Sequence, residues 1–180
     1  MDRNDPYLLN LGDYQAHVFR AAERKDGELI FNGSVLHAQI IVEALFRTAK
    51  TVVKIFSDGL NQGVYGHSST IAAVKRFLAT GDERKVVIVH EQPKLDGDQQ
   101  NIFANEFAND PRVTIVPLPS TLRSEIDFHL CVADGQSYRF EEDKLGRAAV
   151  ASFGGDRGTA AHLDGLFDRI LAFSVSEMPA

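Results

Sequence analysis

The sequence predicts one α/β domain, a mixed β-sheet flanked by helices, and three observations carry that prediction. Helix-spaced apolar runs alternate with β-branched ones through the first part of the chain. An Asp-Gly pair separates two strand-like runs further on, and 180 residues suffice for a single core. Alternation implies crossover connections and parallel strands, whereas an Asp-Gly hairpin is antiparallel, so the sheet has to be mixed.

Taken in order, Tyr7-Leu8-Leu9-Asn10-Leu11 is a short apolar run, and Tyr14 to Ala22 has the pattern of a turn or two of helix before Lys25-Asp26-Gly27 turns the chain. Residues 1–33 read as an N-terminal extension or first edge strand, and 34–176 as the α/β domain. Ser34 is placed to cap a helix whose Leu36, Ile40, Ile41, Ala44, Leu45 and Ala49 recur at helical spacing. Thr51 to Phe56 is a β-branched run, a buried strand that opens into Ser57-Asp58-Gly59-Leu60. Ser68 or Ser69 caps the next helix, with Ile71, Ala72, Val74, Phe77 and Leu78 apolar and Gly81 at its end.

Lys85 to His90 is a second strand, Glu91 to Gln100 a polar loop, and Asn101 to Asn109 a short helix with Ile102, Phe103 and Phe107 on one side. Val113 to Leu118 is a third strand. Three more strand-like runs follow: Phe128 to Ala133, Ser137 to Glu141 and Ala148 to Phe153. Asp134-Gly135 supplies the two positive-φ positions of a two-residue type I′ turn. A helix from about Thr159 closes the chain, with Leu163, Leu166, Phe167, Ile170 and Leu171 as its apolar stripe.

Composition excludes several classes. With 25 acidic against 19 basic residues the formal charge is -6, which disfavours a phosphate-coating nucleic-acid binder but leaves nucleic acid possible through a local basic groove. The single cysteine, Cys131, cannot form an intrachain disulfide and fits a reducing compartment. No apolar run approaches the roughly 18 residues of a membrane span, and the charged start lacks the apolar region of a signal peptide, so the expected location is the cytoplasm.

The chain from Ser34 onward resembles the single-lobe phospholipase D-like fold. The helix, strand and helix from Ser34 to Leu78 carry that resemblance, together with the hairpin from Phe128 to Arg139 and the run Ala149-Val150-Ala151-Ser152-Phe153-Gly154-Gly155 before an apolar helix. The resemblance implies a His-x-Lys-x4-Asp motif entering the hairpin, in which His attacks phosphorus and Lys holds the phosphate, with two lobes sharing one site. Setting Asp134 at the motif's Asp puts Asp127 at the nucleophile's position and His129 at the lysine's. Setting His129 as nucleophile instead puts Cys131 at the lysine and Gln136 at the Asp. Neither register keeps the motif, and Ser152-Phe153-Gly154-Gly155 offers a Ser without a nearby Asn. The implied protein is a degenerate member, a binding or interaction module, with an acidic balance extending into its site.

Candidate site residues gather at strand ends, where open α/β sheets place their ligands, and Glu91, directly after the second strand, belongs to that cluster. His129 and Asp134 are the catalytic candidates. Ser57, Asp58, Tyr65, His67, His90, Ser152 and Arg157 are the binding candidates. His129 alternates with Phe128 and Leu130, a setting that also suits a satisfied, half-buried histidine. Residues 152–158 are Gly-rich and precede a helix whose N-terminus could take an anion beside Arg157, or form a plain turn. No His-x3-His or Cys-x2-Cys spacing occurs, so no metal is expected, and no cofactor. Expected partners are a second copy of the chain or another protein subunit, as in a bacterial multi-component system. The alternative is a dimeric phosphodiesterase or nuclease with His129 as nucleophile.

Overall fold

The computed structural model describes residues 10–91, 101–144 and 148–177. Helix α1 (Leu11–Arg24) starts at Asn10, whose side chain accepts from the Asp13 amide, and buries Tyr14, Val18, Ala21 and Ala22 along one stripe. It ends at Lys25, in the left-handed region at φ 55°. Strand β1 (Ile30–Asn32) leads to α2 (Val35–Thr48), capped by Ser34, whose side chain accepts from the His37 amide. From Ala38 to Phe46 every residue of α2 is buried, which makes it the central helix of its layer. Each large aliphatic or aromatic side chain so buried contributes roughly 1.5–3 kcal/mol.

The remaining elements are β2 (Val52–Ser57), α3 (Ser68–Ala79), β3 (Lys85–His90), α4 (Ile102–Phe107), β4 (Val113–Pro117), a 3-10 turn at Ser120–Leu122, β5 (His129–Ala133), β6 (Ser137–Glu141), β7 (Ala149–Phe153) and α5 (Arg157–Ser176). The sheet order is β1-β7-β6-β5-β2-β3-β4. Strands β2, β3 and β4 are parallel, while β5 is antiparallel to β2, and β5, β6, β7 and β1 are successively antiparallel. The mixed α/β sheet expected from the sequence is the observed one.

Strand alternation divides the core in two. Val53, Ile55, Cys131 and Ala151 face α1 to α4, whereas Phe56, Leu130, Val132 and Tyr138 face α5 through Ala160, Leu163, Phe167 and Ile170. Lys54 also points toward α5, where its ammonium meets Asp164 at 2.9 Å and Asp168 at 2.8 Å, one turn apart. The loop between α1 and β1 passes so close to the turn after β7 that a Cβ on Gly27 would lie 2.6 Å from the Gly155 Cα.

Three local expectations are corrected. The N-cap of α3 is His67, not Ser68 or Ser69, because its Nδ1 accepts from the Ser69 amide. Ile102 does not join Phe103 and Phe107 in the core and is 51% exposed. The hairpin has positive φ at Asp134 (55°) and Gly135 (63°), and the Gln136 amide donates to the Ala133 carbonyl. Its first paired residues are Ala133 and Ser137, so Gln136 adds a third residue to the loop. The apolar residues 7–9 and the loop residues 92–100 lie outside the described residues.

Candidate functional site

A cleft of about 440 Å³ opens where β2 ends, β5 begins and β6 ends. One wall is the start of α2, at Ser34, Val35 and Ala38. Another is the loop after β2, from Asp58 to Tyr65, and the floor carries His129, Arg139, Glu141 and Lys144. The loop is braced from within. Leu60 is fully buried and takes a left-handed φ of 55°, a conformation costly for a branched side chain. Asn101 holds it there by donating from its side-chain amide to the Gly59 carbonyl at 2.9 Å and the Leu60 carbonyl at 3.2 Å.

The floor is a chain of alternating charges. Antiparallel pairing sets His129 opposite Glu141 and Cys131 opposite Arg139, so these side chains share one face of the sheet. His129 Nδ1 lies 3.8 Å from a Glu141 carboxylate oxygen, and its Nε2 lies 3.8 Å from one of Glu91. The Arg139 guanidinium donates to Glu141 at 3.2 Å, and Lys144 donates to Glu91 and to the Ile126 carbonyl. Arg139 Nε donates to Asn32 Oδ1 at 2.9 Å, and Asn32 in turn donates to the Ala149 carbonyl at 3.0 Å. The order Lys144, Glu91, His129, Glu141, Arg139 alternates in sign when the imidazole is protonated.

Electrostatics follow from that order. Burial works against the imidazolium of His129, yet Glu141 and Glu91 outweigh it and raise its pKa above the ordinary value. Burial likewise opposes the Glu91 carboxylate, but His129 and Lys144 hold its pKa below the usual range. His129 and Arg139 do the same for Glu141. Burial pushes the Tyr65 phenol far up, with the Ser57 side chain as its hydrogen-bond partner, and pushes the Cys131 thiol up to about 12. Cys131 is therefore a packed residue rather than a reactive thiol.

The candidates named from sequence divide cleanly. Ser57, Asp58, Tyr65 and His129 line the cleft together. Asp134 is at the other end of β5, where its carboxylate accepts from the Lys50, Thr51 and Val52 amides and the Thr51 hydroxyl, and burial is outweighed so that its pKa falls. It does not line the cleft with His129. Asp127 is exposed and outside the lining.

His67 caps α3, and His90 is buried at the end of β3; neither lines the cleft. Ser152 is fully buried opposite Tyr138, on the α5 side of the sheet. Arg157 is exposed at the start of α5. The anion position at that helix start is already taken by the chain's own Asp156, which accepts from the Thr159 amide at 3.3 Å and the Tyr138 hydroxyl at 2.8 Å.

The structure adds Asn32, Arg139, Glu141 and Lys144 as charged or polar members of the site, and it brings Glu91, expected at a strand end, beside His129. Arg139 and Glu141 were findable by counting outward from the Asp-Gly turn. Arg139, Lys144 and His129 line the cleft beside Asp58 and Glu141, so its lining carries basic as well as acidic groups. Among the described residues no group of His, Cys, Asp and Glu is arranged to hold a metal, and no helix is long and apolar enough to cross a membrane.

No family model and no curated protein matches the chain. Solved structures do. NucT from Helicobacter pylori is 13% identical with a TM-score of 0.59, covering 82% of this chain and 96% of that one. TrmBL2, an archaeal chromatin protein with a novel mode of DNA binding, is 14% identical with a TM-score of 0.59, covering 91% of this chain and 67% of that one. Phosphatidylserine synthase from Haemophilus influenzae Rd KW20 is 10% identical with a TM-score of 0.50, covering 82% of this chain but 38% of the synthase. At these identities the likeness establishes the fold, which is phospholipase D-like.

Proposed function

We propose that this phospholipase D-like domain is a binding module that seats a polar ligand or partner group in the cleft above His129 and does not turn over phosphodiesters. The observation that carries this reading is the position of His129 between two carboxylates, each 3.8 Å from one ring nitrogen. An attacking imidazole needs a nitrogen lone pair aimed at phosphorus. Two flanking carboxylates favour the doubly protonated ring, which has none, and direct both N–H groups at glutamates. The nearby cations support the same conclusion. Arg139 and Lys144 already neutralise Glu141 and Glu91, so they are not free to clamp a transferring phosphoryl group. DNA binding, the property named for TrmBL2, suits this chain less well because its formal charge is -6.

The test is direct. Wild-type protein and His129→Ala are incubated with a chromogenic phosphodiester, with single- and double-stranded DNA and with RNA. Neither protein should exceed the buffer rate. Turnover by the wild type that disappears in His129→Ala would overturn the proposal in favour of a nuclease or phosphodiesterase with His129 as nucleophile.

A further inference from the structure

His129 has both ring nitrogens committed to acidic groups on different elements: Glu91 just beyond β3 and Glu141 at the end of β6. Neither approach is a direct hydrogen bond at 3.8 Å, and the buried Nε2 has no other hydrogen-bond partner among the described residues. The ring is fixed by packing as well, edge to face with Phe56 of β2 at 5.8 Å between centroids. Lys144 stands over the same Phe56 ring at 5.8 Å and is tied to Glu91, while Arg139 is tied to Glu141. Among the described residues, Asp58 is the remaining charged group lining the cleft.

The consequence is asymmetric. An imidazolium presents an N–H toward each glutamate, since it carries two; a neutral imidazole carries one, so its other nitrogen presents a lone pair to a carboxylate. We propose that His129 is a pH-operated latch of the cleft: protonated, it holds Glu91 beyond β3 toward Glu141 at the end of β6 across β2 and β5, and on losing its proton it releases one glutamate and loosens the part of the floor that carries Lys144. The latch is a regulatory device of the binding site inferred above and rests on that reading. Its sign is set by geometry: two carboxylates favour the protonated ring, so the latch holds at low pH and opens as pH rises.

The experiment follows the imidazole of His129 and the side-chain carboxyl carbons of Glu91 and Glu141 by NMR across neutral pH, in wild type, Glu91→Gln and Glu141→Gln. The expected result is an imidazole midpoint above the ordinary histidine value, both glutamate signals moving at that same midpoint, and a lowered midpoint in each variant. A midpoint that neither substitution moves, or glutamate signals silent while the imidazole titrates, overturns the latch. If a variant does not fold, the wild-type co-titration decides alone. No ligand is needed, so failure of the latch and failure of the binding reading are read separately. Phosphodiester turnover refutes the second, and missing co-titration the first.

Discussion

His129 and Asp134, at the start of β5 and just past its end, lie roughly 16 Å apart along the strand and hold their charges in opposite ways. At the hairpin end, Asp134 is saturated, with four short hydrogen bonds of 2.7, 2.8, 2.7 and 3.0 Å to Lys50, Thr51 and Val52. At the cleft end, His129 meets two carboxylates at 3.8 Å and completes no direct bond to either. The saturated end fastens β5 to the start of β2 and has nothing left for a ligand. The under-bonded end keeps its freedom to respond to protons and to whatever enters the cleft. The difference teaches that an acidic residue at a motif's position can serve the fold alone, while the reactive electrostatics come from residues that the motif does not specify.

The sharpest way to break this comparison is at the fastened end. Asp134→Ala removes a charged acceptor from four donors and leaves a left-handed position to a residue that disfavours it, so it should cost about 3 kcal/mol of stability by urea denaturation. The His129 titration should stay unchanged; a moved midpoint would mean that the two ends are coupled. Next in size is Asn32→Ala, which deprives the buried Arg139 of one acceptor and the Ala149 carbonyl of its donor. A loss of about 2 kcal/mol is expected, and unlike the first substitution it should disturb the His129 midpoint, because Arg139 braces Glu141.

The smallest effect is the opposed pH response. Asp134 has a depressed pKa, so its contribution is present above the unfolded carboxylate value and is lost as pH falls through the folded one. His129 has a raised pKa, so its contribution is full below the unfolded imidazole value and disappears as pH rises through the folded one. Thermal midpoints of wild type, Asp134→Asn and His129→Gln across pH should therefore show the first gap closing in acid and the second closing toward alkaline pH. The depressed pKa values of Glu91 and Glu141 add an acid-side loss at the cleft end as well. Parallel pH profiles for the two variants would sink the contrast.

Much of the fold was legible because it depends on local chemistry. Ser34 as a cap, the β-branched run ahead of Ser57 and the Asp-Gly turn each announce one element, and their order dictates a mixed sheet. The site was legible only at its strand ends. Ser57, Asp58, Tyr65 and His129 lie where open sheets put ligands, whereas His67 and His90 sit near strand and loop ends with side chains serving a cap and the core. Glu91 was legible as a strand-end residue, but Lys144 could not be placed, since it lies on a loop whose path is set by long-range packing. Lys144 reaches Glu91 across 53 positions of sequence, and no local pattern encodes that meeting. Lys54 shows the converse: a lysine that a sequence reading would give to solvent is drawn beneath α5 by two aspartates one turn apart.

The contact of Gly27 with Gly155 bears on how the chain can be engineered. Each occupies the space that a Cβ on the other would need, and Gly27 also requires a positive φ of 80°. The two positions, far apart in sequence, behave as a single locus: a side chain at one cannot be rescued by removing a side chain at the other, because neither has one to remove. Library design, fusion boundaries and circular permutation should leave both untouched, and a related sequence that replaces one must also reroute the backbone of the other.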